Sequence, residues 1–167
     1  MATSVVRRKA PLYDTDRQAW LERQAGLART RNVAALDLDN IAEELEDMGR
    51  AERRELRARL ETLLMHLLKY ELQPAARSGG WRGTIVEQRL RIRDTLTESP
   101  RLQGYLKRLF DAGEAYADAL ERAVAETGLS LGDFPEACAY TLDQALDPAF
   151  WPGPAPHLAA APRRRRR

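Results

Sequence analysis

Between residues 38 and 68 the apolar positions fall at three- and four-residue steps. Leu38, Ile41, Leu45, Met48, Leu56, Leu60, Leu63 and Leu67 share one phase, and Glu52 is its polar member. Such spacing lays one apolar stripe along an α-helix. At about 1.5 Å per residue the predicted helix is a rod of roughly 45 Å. Its other face carries Glu and Arg, so the stripe is expected to pack against further helices, and the expected class is all-α.

The remaining segments read the same way. Thr15-x-x-Gln18 has the form of a capping box ahead of Trp20, Leu21, Gln24 and Leu27, which predicts a first helix near 16–29. Asp37 or Asp39 can cap the long helix, whose early turns hold Glu43, Glu44, Glu46 and Asp47, where acids favour the positive end of the dipole. Gly49 interrupts the run at a cost of about 1 kcal/mol relative to Ala. Because the stripe keeps its phase across Gly49, a close helix contact is expected there instead of a kink. Gln73-Pro74 ends the long helix, and Arg77-Ser78-Gly79-Gly80 reads as a flexible turn. Trp81, Ile85, Gln88, Ile92 and Leu96 then define a third helix.

Ser99-Pro100 opens a fourth helix, expected to run unbroken over 100–127 on the stripe Leu102, Leu106, Leu109, Ala112 or Gly113, Tyr116, Leu120 and Val124. Gly128 is its expected stop. The stretch 129–135 reads as a loop pinned by Leu131 and Phe134. Thr141-x-x-Gln144 caps a short last helix, and Phe150-Trp151-Pro152 reads as an aromatic plug. The expected architecture is an antiparallel bundle of four main helices, one of them long, plus a short C-terminal helix. Its expected organisation is a flexible basic N-terminus over 1–12, a single helical domain over 13–152 and a disordered tail rich in Pro, Ala and Arg over 153–167.

A length of 167 residues suits one domain that needs neither disulfide nor metal to fold. Cys138 is the only cysteine, which fits a reducing cytosol. No window approaches about 18 uncharged apolar residues and no apolar stretch follows the basic N-terminus, so a cytoplasmic protein without a transmembrane segment is expected. The net charge of +2 conceals an asymmetry: eight of the 27 basic residues lie at Arg7, Arg8, Lys9 and Arg163 to Arg167, leaving 19 against all 25 acidic ones, about −6, in between. The basic isoelectric point therefore reflects the ends of the chain.

One set of motifs carries a resemblance. Tyr13-Asp14 with Ala19-Trp20-Leu21, the run from Asp39 to Gly49, the run from Leu63 to Tyr70, Gln73-Pro74, Trp81-Arg82-Gly83-Thr84-Ile85 with Glu87-Gln88-Arg89, and Phe150-Trp151-Pro152 occur in order. Together they resemble the bacterial family called domain of unknown function 29. The resemblance implies a compact helical domain and supplies no activity, substrate or catalytic residue. The arginine run lies outside the family pattern.

Candidate chemistry is sparse. His66 sits among leucines, where a histidine can act as base or ligand; the acid one turn earlier that a helix-bundle metal site uses is replaced by Leu63 and Thr62. His157 falls in the tail. A structural histidine bonded to another helix accounts for His66 more simply. Glu43 and Asp47 share a helix face and could offer carboxylates to a hard cation, yet a solvated, dipole-favouring face explains them equally. Cys138 lacks a neighbouring base, Ser78 lacks the context of a nucleophile elbow, and Gly79-Gly80-x-x-Gly83 is not a phosphate loop. No catalytic residue, metal site or cofactor is expected.

Two sets remain. Gln88 falls on the apolar phase of Ile85 and Ile92, which predicts a structural polar network with Glu44, Glu52 or His66. Arg77, Trp81, Arg82 and Arg89, together with Arg163, Arg164, Arg165, Arg166 and Arg167, form a candidate polyanion site in which arginines meet phosphate and Trp81 stacks on a base. The leading expectation is a non-enzymatic module that engages a protein partner or its own copy. Non-specific nucleic-acid association through the arginines is the alternative, and a metal-dependent enzyme built on His66 and the acids of the long helix is a more remote one.

Overall fold

The computed structural model describes residues 12–153. The basic N-terminus and nearly all of the tail, including His157 and the arginine run, lie outside the described residues. Among the described residues seven α-helices follow one another: α1 (Leu12–Thr15), α2 (Arg17–Arg29), α3 (Leu38–Leu72), α4 (Gly79–Glu98), α5 (Leu102–Asp111), α6 (Glu114–Thr127) and α7 (Leu142–Leu146). Short 3-10 turns occupy Val33–Ala35, Pro74–Ala76 and Leu131–Asp133. No strand occurs among the described residues, so the chain is all-α. It divides into two compact units, 1–50 and 51–167. Helix α3, of 35 residues, runs unbroken through that boundary and through Gly49.

In the first unit α2 starts one residue later than the capping-box pattern predicts. Thr15 closes α1, and the carboxylate of Asp16 takes the cap by accepting from the Ala19 N–H at 3.0 Å. Few apolar side chains are enclosed here. Trp20 is buried, and the other buried residues, Gln24 and Glu44, are polar. Trp20 donates from Nε1 to Asp37 Oδ2 at 3.1 Å and meets the Tyr13 ring edge-on at 4.9 Å. Gln24 Oε1 accepts from the Asp37 N–H at 3.0 Å, which fixes the entry to α3.

The second unit holds the hydrophobic core. Leu56, Leu60, Leu63, Leu64, Leu67 and Leu68 of α3 are buried against Ile85 and Ile92 of α4, Leu102, Leu106 and Leu109 of α5, and Ala115, Ala119 and Ala123 of α6. The alanines recur every fourth residue, so α6 presents a smooth strip to the core. Glu52, the polar member of the α3 stripe, accepts from Ser99 Oγ at 2.6 Å. Its place on the apolar phase is thereby explained by a bond to the residue that ends α4.

Three sequence expectations are corrected here. Gly79 and Gly80 belong to the first turn of α4, because Ser78 accepts from the Trp81 N–H at 3.3 Å and starts the helix earlier. The helix expected to be unbroken over 100–127 is two helices. Gly113 adopts φ of +75°, which stops α5 and re-aims the chain into α6; the choice between Ala112 and Gly113 on the stripe marked this break. Leu131 is exposed, so of the two expected anchors only Phe134 is buried, and Leu129 packs against the core beside it. Gly128, at φ of +67°, does end α6 as expected, and the capping box of Thr141 and Gln144 forms in both directions. Trp151 packs on Tyr70 at 5.2 Å between ring centroids and Phe150 on Tyr140 at 5.6 Å.

Candidate functional site

In the first unit the carboxylate of Glu44 is buried and serves two donors, the Tyr13 hydroxyl at 2.8 Å and the Arg17 guanidinium. That bond to a carboxylate holds the Tyr13 phenol up to about 12 and so keeps it protonated. On α3 nearby, Leu38, Leu45 and Met48 are 58%, 63% and 66% exposed. With half-buried Ile41 they stand at steps of three, four and three residues, the spacing of a coiled-coil seam. The stripe read from the sequence as packed along its whole length is therefore enclosed only from Leu56 onward. Flanking the seam are the small residues Ala42 and Gly49. Asp47, a candidate cation ligand, instead pairs with Arg50 at 2.6 Å, and Glu46 pairs with the same arginine at 3.2 Å.

In the second unit the proposed polar network does not assemble as expected. His66 Nδ1 donates to the carbonyl of Thr62, one turn back on its own helix, at 3.0 Å. Burial holds its pKa below the usual imidazole range. Gln88 Oε1 accepts from Arg59 Nη1 at 3.4 Å. Glu44 lies in the other unit with its own partners, so Glu44, His66 and Gln88 each have separate partners. Gln88 is half-buried, and a long arginine from α3 can reach it without a buried acid.

The arginines assigned to a polyanion site have different environments. Arg77 lies 4.1 Å over the Tyr70 ring and donates from Nε to the Tyr70 carbonyl at 2.7 Å. Trp81 is half-buried, with Lys69 Nζ 4.7 Å from its ring centre. Lys69 is also bonded to Glu126 at 2.5 Å, and this pairing holds the Glu126 carboxyl below its ordinary range. Arg82 is exposed and lies 5.0 Å from the Trp151 ring. Arg89 is only 5% exposed; its Nε and Nη2 donate to the carbonyls of Ala145 and Phe150, each at 2.8 Å. Arg77 also donates from Nη2 to the Pro152 carbonyl at 3.4 Å, so both Arg77 and Arg89 bind backbone carbonyls of the C-terminal segment. Arg163 to Arg167 lie outside the described residues.

Sequence reading missed two further clusters. Arg57 forks to Glu61 at 2.7 Å, Glu114 at 3.1 Å and Asp118 at 2.6 Å, tying α3 to α6. Cys138, Tyr116 and Tyr140 lie in enclosed surroundings, and burial pushes the thiol and both phenols up, so all three remain protonated near neutral pH. The opposite charges of Arg57 and Glu61 at i and i+4 hint at the first cluster, whereas its bonds to Glu114 and Asp118, and the approach of Tyr116 to Cys138 and Tyr140, join residues far apart in sequence. Among the described residues, no group of three or more His, Cys, Asp or Glu is placed to hold a metal ion, and no helix is long and apolar enough to cross a membrane.

Taken together, one long helix and capped shorter ones, with no strand among the described residues, define an all-α protein whose polar clusters serve mainly to join helices. A family model, Domain of unknown function DUF29, matches residues 12–151. The chain belongs to that family. No curated protein and no solved structure matches it.

Proposed function

We propose that the chain is a non-enzymatic interaction module that pairs with a second copy of itself through the seam of Leu38, Ile41, Leu45 and Met48. The exposure of three large apolar residues at coiled-coil spacing carries this reading. Ala42 and Gly49 beside the seam let two helices approach closely. Covering Leu38, Leu45 and Met48 on each of two copies gains about 1–2 kcal/mol per side chain. Association costs about 4–15 kcal/mol, so the dimer is weak and concentration-dependent. Sedimentation velocity across a concentration series tests it. Dimerisation that disappears in Leu45→Lys, with the far-UV circular dichroism unchanged, supports the reading. A monomer at every concentration refutes it.

A second reading is polyanion association through Arg163 to Arg167, assisted by Arg82 and Trp81. It is favoured by the concentration of five adjacent guanidiniums at one end of the chain and by the exposure of Arg82. Fluorescence polarisation with short DNA and RNA, for the full chain and a truncation ending at Pro152, checks it. Binding confined to the full chain, and weakened by salt, is the expected result; absence of binding at low salt rules it out.

A further inference from the structure

The apolar seam of α3 has an acidic border. Asp39, Glu43 and Glu46 are exposed and stand at steps of four and three residues, so they form one row along the helix. Between this row and Leu38, Leu45 and Met48 lie only Ala42 and Gly49, which leave a low crossing from apolar to acidic surface. Asp39 and Glu43 make no ion pair among the described residues, and Glu46 shares its one cation, Arg50, with Asp47. A surface that is apolar along one line and anionic beside it fits a short segment of the opposite make-up, apolar side chains next to cations. The chain supplies one in Val5-Val6-Arg7-Arg8-Lys9, three cations for three exposed carboxylates. Those residues lie outside the described ones, but the point from which they are tethered does not. The Tyr13 hydroxyl donates to Glu44 at 2.8 Å, and Glu44 precedes Leu45 on α3, so the chain passes the helix at the level of the seam. From Val5 to Tyr13 the backbone can span about 26 Å, whereas the seam from Leu38 to Met48 is about 15 Å long.

We infer that residues 5–9 dock on the seam of their own chain, with the valines on the apolar line and Arg7, Arg8 and Lys9 on the row of Asp39, Glu43 and Glu46, and so hold the seam back from a second copy. This rests on the seam being a docking face, as proposed above. A tether this short gives an effective concentration in the millimolar range, far above that of a second copy in micromolar protein. Two copies meeting on the seam also bring two acidic rows near each other, which repel, whereas the basic segment neutralises the row. Arg163 to Arg167 follow Ala159-Ala160-Ala161-Pro162, so that run matches the acids without matching the apolar line.

Met48 provides the readout, because dilute hydrogen peroxide converts an accessible methionine to its sulfoxide and is itself reduced to water. Met65, 2% exposed in the core, reports any loss of the fold. The full chain is compared with a variant carrying Arg7→Gln, Arg8→Gln and Lys9→Gln, each dilute enough to sediment as a monomer, and peptide mass spectrometry follows both methionines. At low salt the variant is expected to oxidise at Met48 at least about threefold faster than the unchanged chain, with Met65 slow in both. In about 0.5 M salt the unchanged chain is expected to approach the variant, because exposed ion pairs are screened. Equal Met48 rates at low salt overturn the proposal, and a salt effect of equal size in both chains would assign the seam to the arginine run and overturn it too. Should Met65 accelerate in the variant, Val5→Ser with Val6→Ser, which leaves every charge in place, replaces it with the same expected acceleration and the same refutation. Pairing is measured separately by sedimentation across a concentration series. Faster Met48 oxidation in a variant that pairs at lower concentration supports both the cover and the self-pairing; the same acceleration with monomers throughout supports the cover and refutes the self-pairing. Met48 protected only as concentration rises, equally in both chains, gives the seam to a second copy and overturns the cover.

Discussion

Leu60→Ala and Leu45→Ala remove the same atoms from the same phase of one helix, yet the structure separates their consequences. Leu60 is 0% exposed in the core of the second unit, and Leu45 is 63% exposed. Truncating an enclosed leucine removes its transfer energy and leaves a cavity, about 3–4 kcal/mol in total. At Leu45 only the covered third of the side chain is lost, about 0.5–1 kcal/mol, and the better helix propensity of Ala returns a few tenths. Urea unfolding followed by far-UV circular dichroism measures both. The protein is kept dilute so that no second copy covers Leu45, and the two units are allowed separate transitions. With a urea slope of about 1–3 kcal/mol/M, Leu60→Ala moves the midpoint of its transition by about 1–4 M and Leu45→Ala by a few tenths. If the two variants differ by less than about 1 kcal/mol, the division of the stripe into an enclosed and an open half is wrong. In concentrated protein the deficit of Leu45→Ala is expected to grow, since pairing stabilises the native chain by mass action.

Two further outcomes follow from single sites. A Cβ on Gly113 meets nothing within 4 Å, yet its φ of +75° makes Gly113→Ala cost about 1–2 kcal/mol; Gly83→Ala, equally open and inside α4, is expected to stabilise by about 0.5–1 kcal/mol, with thermal melts of both as the check. His66 has a folded pKa held below its unfolded value by burial, so its contribution to stability is intact above about 6.5 and is lost as pH falls through the depressed value. His66→Gln is expected to flatten the stability profile in that window and leave the more acidic range, where Asp118 titrates beside Arg57, unchanged.

What was legible in the sequence was whatever local periodicity and chemistry determine. The long helix, the stops at Gln73 and Gly128 and the capping box at Thr141 each depend on neighbours within a turn or two. The break at Gly113 was half visible as a loss of phase, but a helix that stops and restarts within two residues keeps nearly the same apolar pattern on both sides. Which half of the α3 stripe is enclosed depends on where later helices lie, and the leucines at 45 and 60 look alike in sequence. The site residues were the least legible. Arg89 reads as a surface arginine in a charged helix, and its partners at Ala145 and Phe150 are 56 and 61 residues away. Gln88 advertised its need for a partner, although nothing nearby identified Arg59 as the donor.

The first unit encloses Trp20 and otherwise depends on polar bonds from Tyr13, Arg17, Trp20 and Gln24, which water can replace one at a time. The leucines of the second unit separate from their neighbours only when that whole core opens. Along α3, one uninterrupted rod, amide hydrogen exchange is therefore expected to change by orders of magnitude, from rapid near Asn40 to slow near Leu64. A single helix by geometry would then behave as two in its opening reactions, with its amino-terminal half free to fray and re-form while the carboxy-terminal half stays closed.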